Sequence, residues 1–297
     1  MSYSGTFANS IDTKESLLLS SSLSKDWRNG MRHSIPVSAT FNLFKYINIS
    51  PSFNYTERWY LRSVDKNWDS DKQKEITDTV SGFNRVYDFN MGVSASTKLY
   101  GFFIPIRSIF GDKIDRIRHV FTPTIGFGYA PDFGDQRWGY YDSYKKTTKD
   151  PSNPASMIEE EVVYSHYQGS LYGYPGSGKS GNINFSFANN IEMKLRNDND
   201  TTGKAPFKKV SLIDNFSVSG GYNLAADSMQ WSNFSTNLRI KFSDRYSLNL
   251  SGAFDPYMYG LNQYGNPVRI NKLRWNYHKF PKFLGTNASY SLAFNND

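Results

Sequence analysis

The chain has 297 residues, no cysteine, a formal net charge of +7, 38% hydrophobic residues and 16% aromatic ones. Without cysteine there are no disulfides and no thiolate metal sites, and no window of ~18 consecutive apolar residues offers a transmembrane helix. The positive charge is spread out; it suits anions in general, lipid phosphate or nucleic acid, without choosing among them.

Met1-Ser2-Tyr3-Ser4-Gly5 has neither the charged n-region nor the apolar h-region of a secretory signal. The chain stops at Asn295-Asn296-Asp297 straight after an alternating run. Both ends read as cuts inside a longer protein. Between them, segments alternating between apolar and polar residues run over 2–11, 16–27, 34–43, 47–62, 85–101, 118–130, 182–196, 209–224, 231–242, 246–255 and 284–294. Period-two alternation gives a strand one greasy and one wet face. In 47–62, Ile47, Ile49, Phe53, Tyr55, Trp59 and Leu61 oppose Asn48, Ser50, Ser52, Asn54, Thr56, Arg58 and Arg62. The hairpin from Ser232 to Asp255 is the clearest case: Phe234, Thr236, Leu238, Ile240 and Phe242 oppose Asn233, Ser235, Asn237, Arg239 and Lys241. Its arms of about ten residues exceed the ~5–6 of an average strand and match the ~9–11 of a tilted membrane-spanning one.

The connections are polarised. Those at 12–15, 44–46 and 243–245 are tight, whereas 66–84, 131–181 and 256–283 are long and rich in Gly, Pro, Asp, Asn and Tyr. With the tight turns on one side, strand parity places the long segments on the other, as in outer-membrane barrels. The connection 102–117 then falls on the short-turn side despite its length. Trp27, Trp59, Tyr60, Tyr100, Tyr129, Trp231, Tyr257 and Tyr259 cluster at segment ends, where interfacial girdles sit. The expected fold is therefore all-β: an antiparallel transmembrane β-barrel, incomplete, supplying about 11–12 strands of a larger barrel over residues 1–297. A soluble β-sandwich alternates for the same geometric reason and stands as the alternative. Helix is hinted at only in 112–118 and 156–162.

Several motifs mimic catalytic or metal sites. Gly173-Tyr174-Pro175-Gly176-Ser177-Gly178-Lys179-Ser180 fits the phosphate-loop pattern G-x-x-x-x-G-K-[ST]. A strand pattern follows it instead of a helix, so it reads as a Gly/Ser-rich loop entering a strand. Residues 198–203 resemble half a calcium loop but carry Lys209 where a bidentate Glu is required. His33, His119, His166 and His278 lack metal-ligand spacing. No catalytic residue, metal site or cofactor is expected, and Lys and Arg interleave with Asp and Glu in a way that does not suit nucleic acid. Arg58, Arg62, Lys98, Lys194, Arg196, Arg239 and Lys241 share the wet parity; they form a candidate cationic lumen row able to screen phosphorylated sugars, with ordinary solvation and local pairing as the plainer reading.

Three stretches resemble a known family. Arg118-His119-Val120-Phe121-Thr122-Pro123, leading to Tyr129-Ala130-Pro131-Asp132-Phe133, is similar to a strand of LptD-like lipopolysaccharide-assembly proteins. Tyr222-Asn223 with Asp227 and Trp231-Ser232, then Phe254-Asp255-Pro256-Tyr257, resembles two further signatures of a divergent branch, and 178–194 fits the same branch. The similarity is clearest over 85–257. It implies an outer-membrane barrel of the Gram-negative type that inserts lipopolysaccharide into the outer leaflet, among outer-membrane lipid. A lipoprotein would plug its lumen, a periplasmic bridge protein would feed it, and a seam between first and last strands would release the lipid. The N-terminal periplasmic jelly-roll of that family is not seen in these residues. An outer-membrane porin or adhesin, or a barrel hydrolase, remains the alternative.

Overall fold

The computed structural model describes residues 1–17, 27–106, 108, 111, 113–149, 156–197, 206–243 and 246–292. Its strands are β1 (Ser4–Ser10), β2 (Arg28–Ser38), β3 (Phe41–Leu43), β4 (Ile47–Asp69), β5 (Lys74–Thr97), β6 (Leu99–Phe103), β7 (Ile114–Ala130), β8 (Tyr141–Lys149), β9 (Met157–Ser165), β10 (Ser180–Arg196), β11 (Phe207–Asn223), β12 (Phe234–Lys241), β13 (Tyr246–Asp255), β14 (Tyr257–Leu261), β15 (Pro267–Leu273) and β16 (Lys282–Leu292). The main sheet runs β1-β2-β4-β5-β7-β10-β11-β12-β13-β16, with β3 beside β4 and β6 beside β7; β8-β9 and β14-β15 form two separate hairpins. The fold is all-β, built of antiparallel sheets. Among the described residues β1 and β16 are the end strands of the main sheet, and the sheet is not closed into a barrel.

Alternation dictates this ladder because each strand can pair only with its greasy residues on the greasy side. From β11 to β16 the register sets Ser217, Asn237, Ser251 and Asn287 in one row and Phe216, Leu238, Leu250 and Ala288 in the next. From β1 to β4 it sets Thr6, Arg32 and Arg58 on one face and Phe7, Met31 and Trp59 on the other. Between β10 and β11 the register slips once between Asn189 and Ile191 and again between Ile191 and Glu192. One slip alone would exchange the faces; the second restores them. The Asn189 and Asn190 side-chain amides donate to the carbonyls of Phe216 (3.3 Å) and Asp214 (2.8 Å) where the ladder is disturbed. Pro123 has no N–H to give, and it lies two residues past the Leu99–Phe121 pair, where the facing strand breaks at Lys98 between β5 and β6.

Several sequence expectations are corrected. The long connection expected at 66–84 is mostly strand: β4 has 23 residues and β5 has 24, and they meet in a short turn. Polar residues on both faces of this ribbon hide its alternation, while the backbone ladder persists. The 131–181 segment contains the β8-β9 hairpin, so the helical hint at 156–162 is a strand. The segment 256–283 holds the β14-β15 hairpin and a short 3-10 turn, Arg274–Tyr277. The strand expected at 16–27 falls mostly on residues 18–26, outside the described residues; its start is a 3-10 turn, Glu15–Leu17. Because β1 pairs with β2 through Ser10 and Arg28, the 12–15 connection lies at the β4-β5 turn end and not with the tight turns. Residues 112, 198–203, 244–245 and 293–297 of other expected features also lie outside the described residues.

The chain forms two compact units. One comprises Met1–Ala39, Ser52–Met91 and Tyr129–Ser180; the other comprises Thr40–Pro51, Gly92–Gly128 and Gly181–Asp297. In the first, Tyr60, Val86, Phe133, Tyr140 and Tyr167 form a buried cluster, with Phe89, Trp138, Tyr141 and Tyr172 packed against it. Tyr60 belongs to the wet parity of β4, and Tyr167 and Tyr172 come from the long segment, so that segment covers part of the wet face. The Tyr60 hydroxyl donates to the Gly173 carbonyl at 2.6 Å. The Tyr140 hydroxyl accepts from the Tyr87 N–H (3.0 Å) and donates to the Tyr87 carbonyl (3.1 Å), pairing backbone groups of β5. In the second unit, Gly220 leaves room for two rings: a Cβ there would stand 2.6 Å from Phe234 and 2.8 Å from Phe185. Tyr60→Phe should cost about 0.5–1.5 kcal/mol for the lost hydrogen bond, and Tyr60→Ala about 3–5 kcal/mol for the emptied site. Denaturant midpoints of the detergent-solubilised chain check the order; equal midpoints would show that the cluster contributes nothing.

Candidate functional site

The candidate site is the wet face, built separately in each unit. In the first unit, Arg58 of β4 forms an ion pair with Asp88 of β5 at 2.5 Å and donates from Nε to the Tyr172 carbonyl at 3.0 Å. This Arg is spent on holding the long segment. Arg62, one turn of the pleat further on, is half-buried and also has an interaction partner. At the outer end of the ribbon, Lys66 pairs with Glu75 at 2.7 Å, and the Tyr144 hydroxyl of β8 donates to the same carboxylate at 2.7 Å. Asp132 staples the two ends of the long segment: its Oδ1 accepts the N–H groups of Gly134 (2.8 Å) and Gly178 (2.7 Å). Gly178 has φ +90°, a conformation that favours glycine. The phosphate-loop lookalike thus gives an N–H to an internal carboxylate, and β10 follows it, as the sequence pattern anticipates.

In the second unit the wet face has a neutral middle. Cavities of about 280 and 510 Å³ are lined by Ser217, Ser235, Asn237, Ser251 and Asn287, and by Ser94, Thr124, Asn184 and Ser186 among others. Toward the ends of β7, β10 and β11 the face becomes charged. Glu192 accepts from Arg118 Nε at 3.0 Å and from Lys209 at 2.7 Å, while Asp115 pairs with Arg116 (2.9 Å) and Lys194 (3.5 Å). Lys194 also stands 3.8 Å above the Phe207 ring. Arg116, Arg118, Glu192, Lys194 and Lys209, with Phe102, Met193 and Phe207, line a cleft of about 340 Å³, and Asp115 pairs with two of its cations. Arg116, Arg118, Lys194 and Lys209 outnumber Glu192 and Asp115, so the cleft keeps a positive excess. Arg239 pairs with Asp214 at 3.3 Å. Lys241 is half-buried and has an interaction partner, and Lys98 and Arg196 are exposed. Of the seven cations of the expected row, Arg58, Lys194 and Arg239 are ion-paired.

The family-like residues of β11, β13 and the segments after them, Tyr222, Asn223, Asp227, Asp255, Pro256 and Tyr257, lie at the other ends of the strands. Asp255, fully buried, accepts from the Tyr257 N–H (2.9 Å), the Tyr259 hydroxyl (2.8 Å) and Arg269 Nη2 (2.7 Å). The Tyr257 hydroxyl accepts the Trp231 N–H at 2.8 Å, and Pro256 accepts through its carbonyl from the Arg274 N–H at 2.8 Å. Tyr222 packs edge-on to Trp231 at 5.1 Å and donates its hydroxyl to Gln230. Asn223 Oδ1 accepts the Ala225 N–H at 2.9 Å, closing the turn on which exposed Asp227 sits. His119 contacts Asn189 Oδ1 at 3.0 Å, and Pro123 lines an apolar cleft with Ile125 and Phe187. Pro131, in the first unit, precedes the Asp132 staple. Sequence reading missed Asp88, Glu192, Lys209 and Arg269, whose roles depend on which residue the register sets opposite; only the parity of Glu192 and Lys209 was visible.

These features define a class: an open antiparallel β-sheet of long, two-faced strands whose loops are anchored by buried Asp and Tyr side chains. The LptD protein family matches residues 1–257, and the chain belongs to that family. No curated protein and no solved structure matches it. Members of the family are lipopolysaccharide transport and assembly proteins of the Gram-negative outer membrane, not enzymes, and lipopolysaccharide is the substrate that membership implies.

Asp255→Ala should cost about 1–3 kcal/mol, because it leaves the Tyr257 N–H, the Tyr259 hydroxyl and one side of the Arg269 guanidinium without their acceptor; Asp255→Ala with Arg269→Met should recover part of that in the same thermal melt. An unrestored double variant would show that packing matters and not the pair. At the ribbon end, outside any membrane-spanning stretch, Lys66 first and Tyr144 second hold the Glu75 carboxyl below its ordinary 4.5, while Glu75 pushes the Tyr144 phenol up to about 12. The Glu75 contribution is therefore present above pH 4.5 and fades as the pH falls through its lowered value; the Tyr144 contribution holds to pH 10 and fades toward 12. Amide exchange in residues 66–75 should quicken at both extremes, and Glu75→Gln should flatten the acid limb.

Proposed function

We propose that the chain forms part of the barrel wall of an outer-membrane lipopolysaccharide translocon, with residues 1–297 as one partial barrel domain contributing ten strand positions. The observation carrying this reading is where apolar surface is left. Among the described residues the buried hydrophobic side chains are Val86, Phe133 and six Tyr, mostly in the aromatic cover. The greasy rows of the sheet stay open: Phe7 is 66% exposed, Phe83 64% and Tyr290 75%. A soluble sandwich buries that face against a second sheet; a barrel wall turns it to lipid. The opposite face, with its neutral hydroxyl and amide middle and its cation-rich cleft, is then the lumen. Neutral hydrogen-bonding groups suit sugars, and paired cations with a positive excess suit their phosphates. The plug lipoprotein, periplasmic bridge protein and lateral seam enter through family membership alone.

Heat-modifiable gel migration with outer-membrane fractionation tests the barrel, and depletion of the protein that contains this chain should lower surface lipopolysaccharide. Arg239→Glu with Lys241→Glu should reduce that display roughly tenfold. Unchanged export and barrier function in a folded double variant would remove the cationic-lumen reading.

A further inference from the structure

The greasy face carries an acid–base pair set among aromatic rings. Glu57 of β4 and Arg85 of β5 share this face with Tyr55, Trp59, Phe83 and Tyr87. Glu57 is turned inward, 12% exposed, and accepts from Trp59 Nε1 at 2.6 Å, from the Tyr55 hydroxyl and from Arg85 Nη2 at 2.8 Å. Arg85 is 57% exposed. Its two hydrogen bonds, to Glu57 and to the Tyr55 hydroxyl at 3.2 Å, both leave from Nη2. Among the described residues its Nε and Nη1 donors are unused, and the Tyr87 ring supports the guanidinium 5.3 Å from its centroid.

The depth of this pair is fixed by strand arithmetic. From Ile47 to Glu57 and from Arg85 to Ala95 the strands count about ten residues, one tilted membrane crossing. Beyond the pair the same parity holds Trp59 and Leu61 on β4 and Phe83 on β5, and then becomes polar: Ser63, Asp65 and Asn67 on β4, and Ser81, Thr79 and Thr77 on β5. Arg85 therefore stands near the upper end of the greasy band, one pleat below Phe83 and on the side of the long segments, which in outer-membrane barrels is the exterior. A planar guanidinium with donors on its free edge matches a phosphate oxygen pair, and Trp59 (36% exposed) and Phe83 beside it match acyl chains. Glu57 cancels part of the charge and fixes the orientation of the guanidinium, so the site favours a ligand bringing phosphate and hydrocarbon together.

We infer that Arg85 is a docking point on the outer wall for the phosphate of the lipopolysaccharide glycolipid, held by the Arg85 edge opposite Glu57 with its acyl chains against Trp59 and Phe83. The inference rests on the barrel reading above. The full chain is refolded into phosphatidylcholine vesicles, and capture of fluorescent lipid A is competed with unlabelled lipid A, phosphate-free lipid A or phosphatidylglycerol. Lipid A should compete and the other two should not. Arg85→Gln should weaken capture about tenfold, and Arg85→Lys should retain part of it. Glu57→Gln keeps an amide oxygen for Nη2 but removes a negative charge, so it should strengthen capture about threefold, a sign opposite to that of a merely structural loss. Strand circular dichroism verifies each variant, and if Arg85→Gln does not fold, the Glu57→Gln result decides. Capture unchanged by both substitutions, or phosphatidylglycerol competing equally, overturns the site. Quenching of Trp59 by brominated lipid, taken as the difference from Trp59→Phe, tests the barrel reading separately. Quenching with no Arg85 effect sinks only the docking site, whereas no quenching by any lipid sinks the barrel.

Discussion

Parity governs this molecule. In a sheet with one greasy and one wet face, a single-residue slip in any strand moves every ring on it to the wrong side. The ladder from β11 to β16 keeps that parity through the Ala253–Gly285 pair and slips once, between Ala253 and Phe254, at the end of β13. Where β10 and β11 break register, they do so twice, and the net shift of two residues returns Lys194 opposite Lys209 on the charged side. The pairing of Arg118, Glu192 and Lys209, the neutral middle of the wet face and the position of Arg85 among rings all follow from this rule.

Loops are held here on a sheet that has little conventional core. Segment 131–179 is anchored by single polar atoms satisfying backbone groups: Asp132 on two N–H groups, Tyr140 on both polar groups of Tyr87, Tyr60 and Arg58 on carbonyls. Asp255 does the same for β14 and β15 in the other unit. Burial makes such bonds consequential, since a buried donor or acceptor left alone costs more than the bond itself returns. It also explains why the family-like residues are mostly Asp, Pro, Tyr and Trp with no catalytic arrangement: they shape loop ends. The phosphate-loop lookalike is an instance, its Gly178 N–H being given to the internal Asp132 carboxylate.

The cations show how register converts a row into something else. On sequence parity alone, Arg58, Lys194 and Arg239 belong with Lys98 and Lys241. In the folded chain Arg58 is matched by Asp88, Lys194 by Asp115 and Arg239 by Asp214. What survives as positive excess is local, in the cleft between Phe102 and Phe207.

Sequence by itself determined the all-β class, the greasy and wet faces, most strand positions in the main sheet and the family, because alternation is a local property that survives without knowledge of neighbours. It also anticipated that Gly173–Ser180 leads into a strand, since Ile183, Phe185 and Phe187 continue with period two. It did not reveal the length of the β4-β5 ribbon, where both faces are wet and the alternation vanishes, nor the β8-β9 and β14-β15 hairpins, whose stability comes from packing and from Tyr144 and Arg269 reaching distant carboxylates. Nor could it set Asp88 against Arg58 or Glu57 against Arg85. Those choices belong to tertiary structure, because the partner of a charged side chain is decided by inter-strand register and by what a loop covers, and neither is encoded within a single strand.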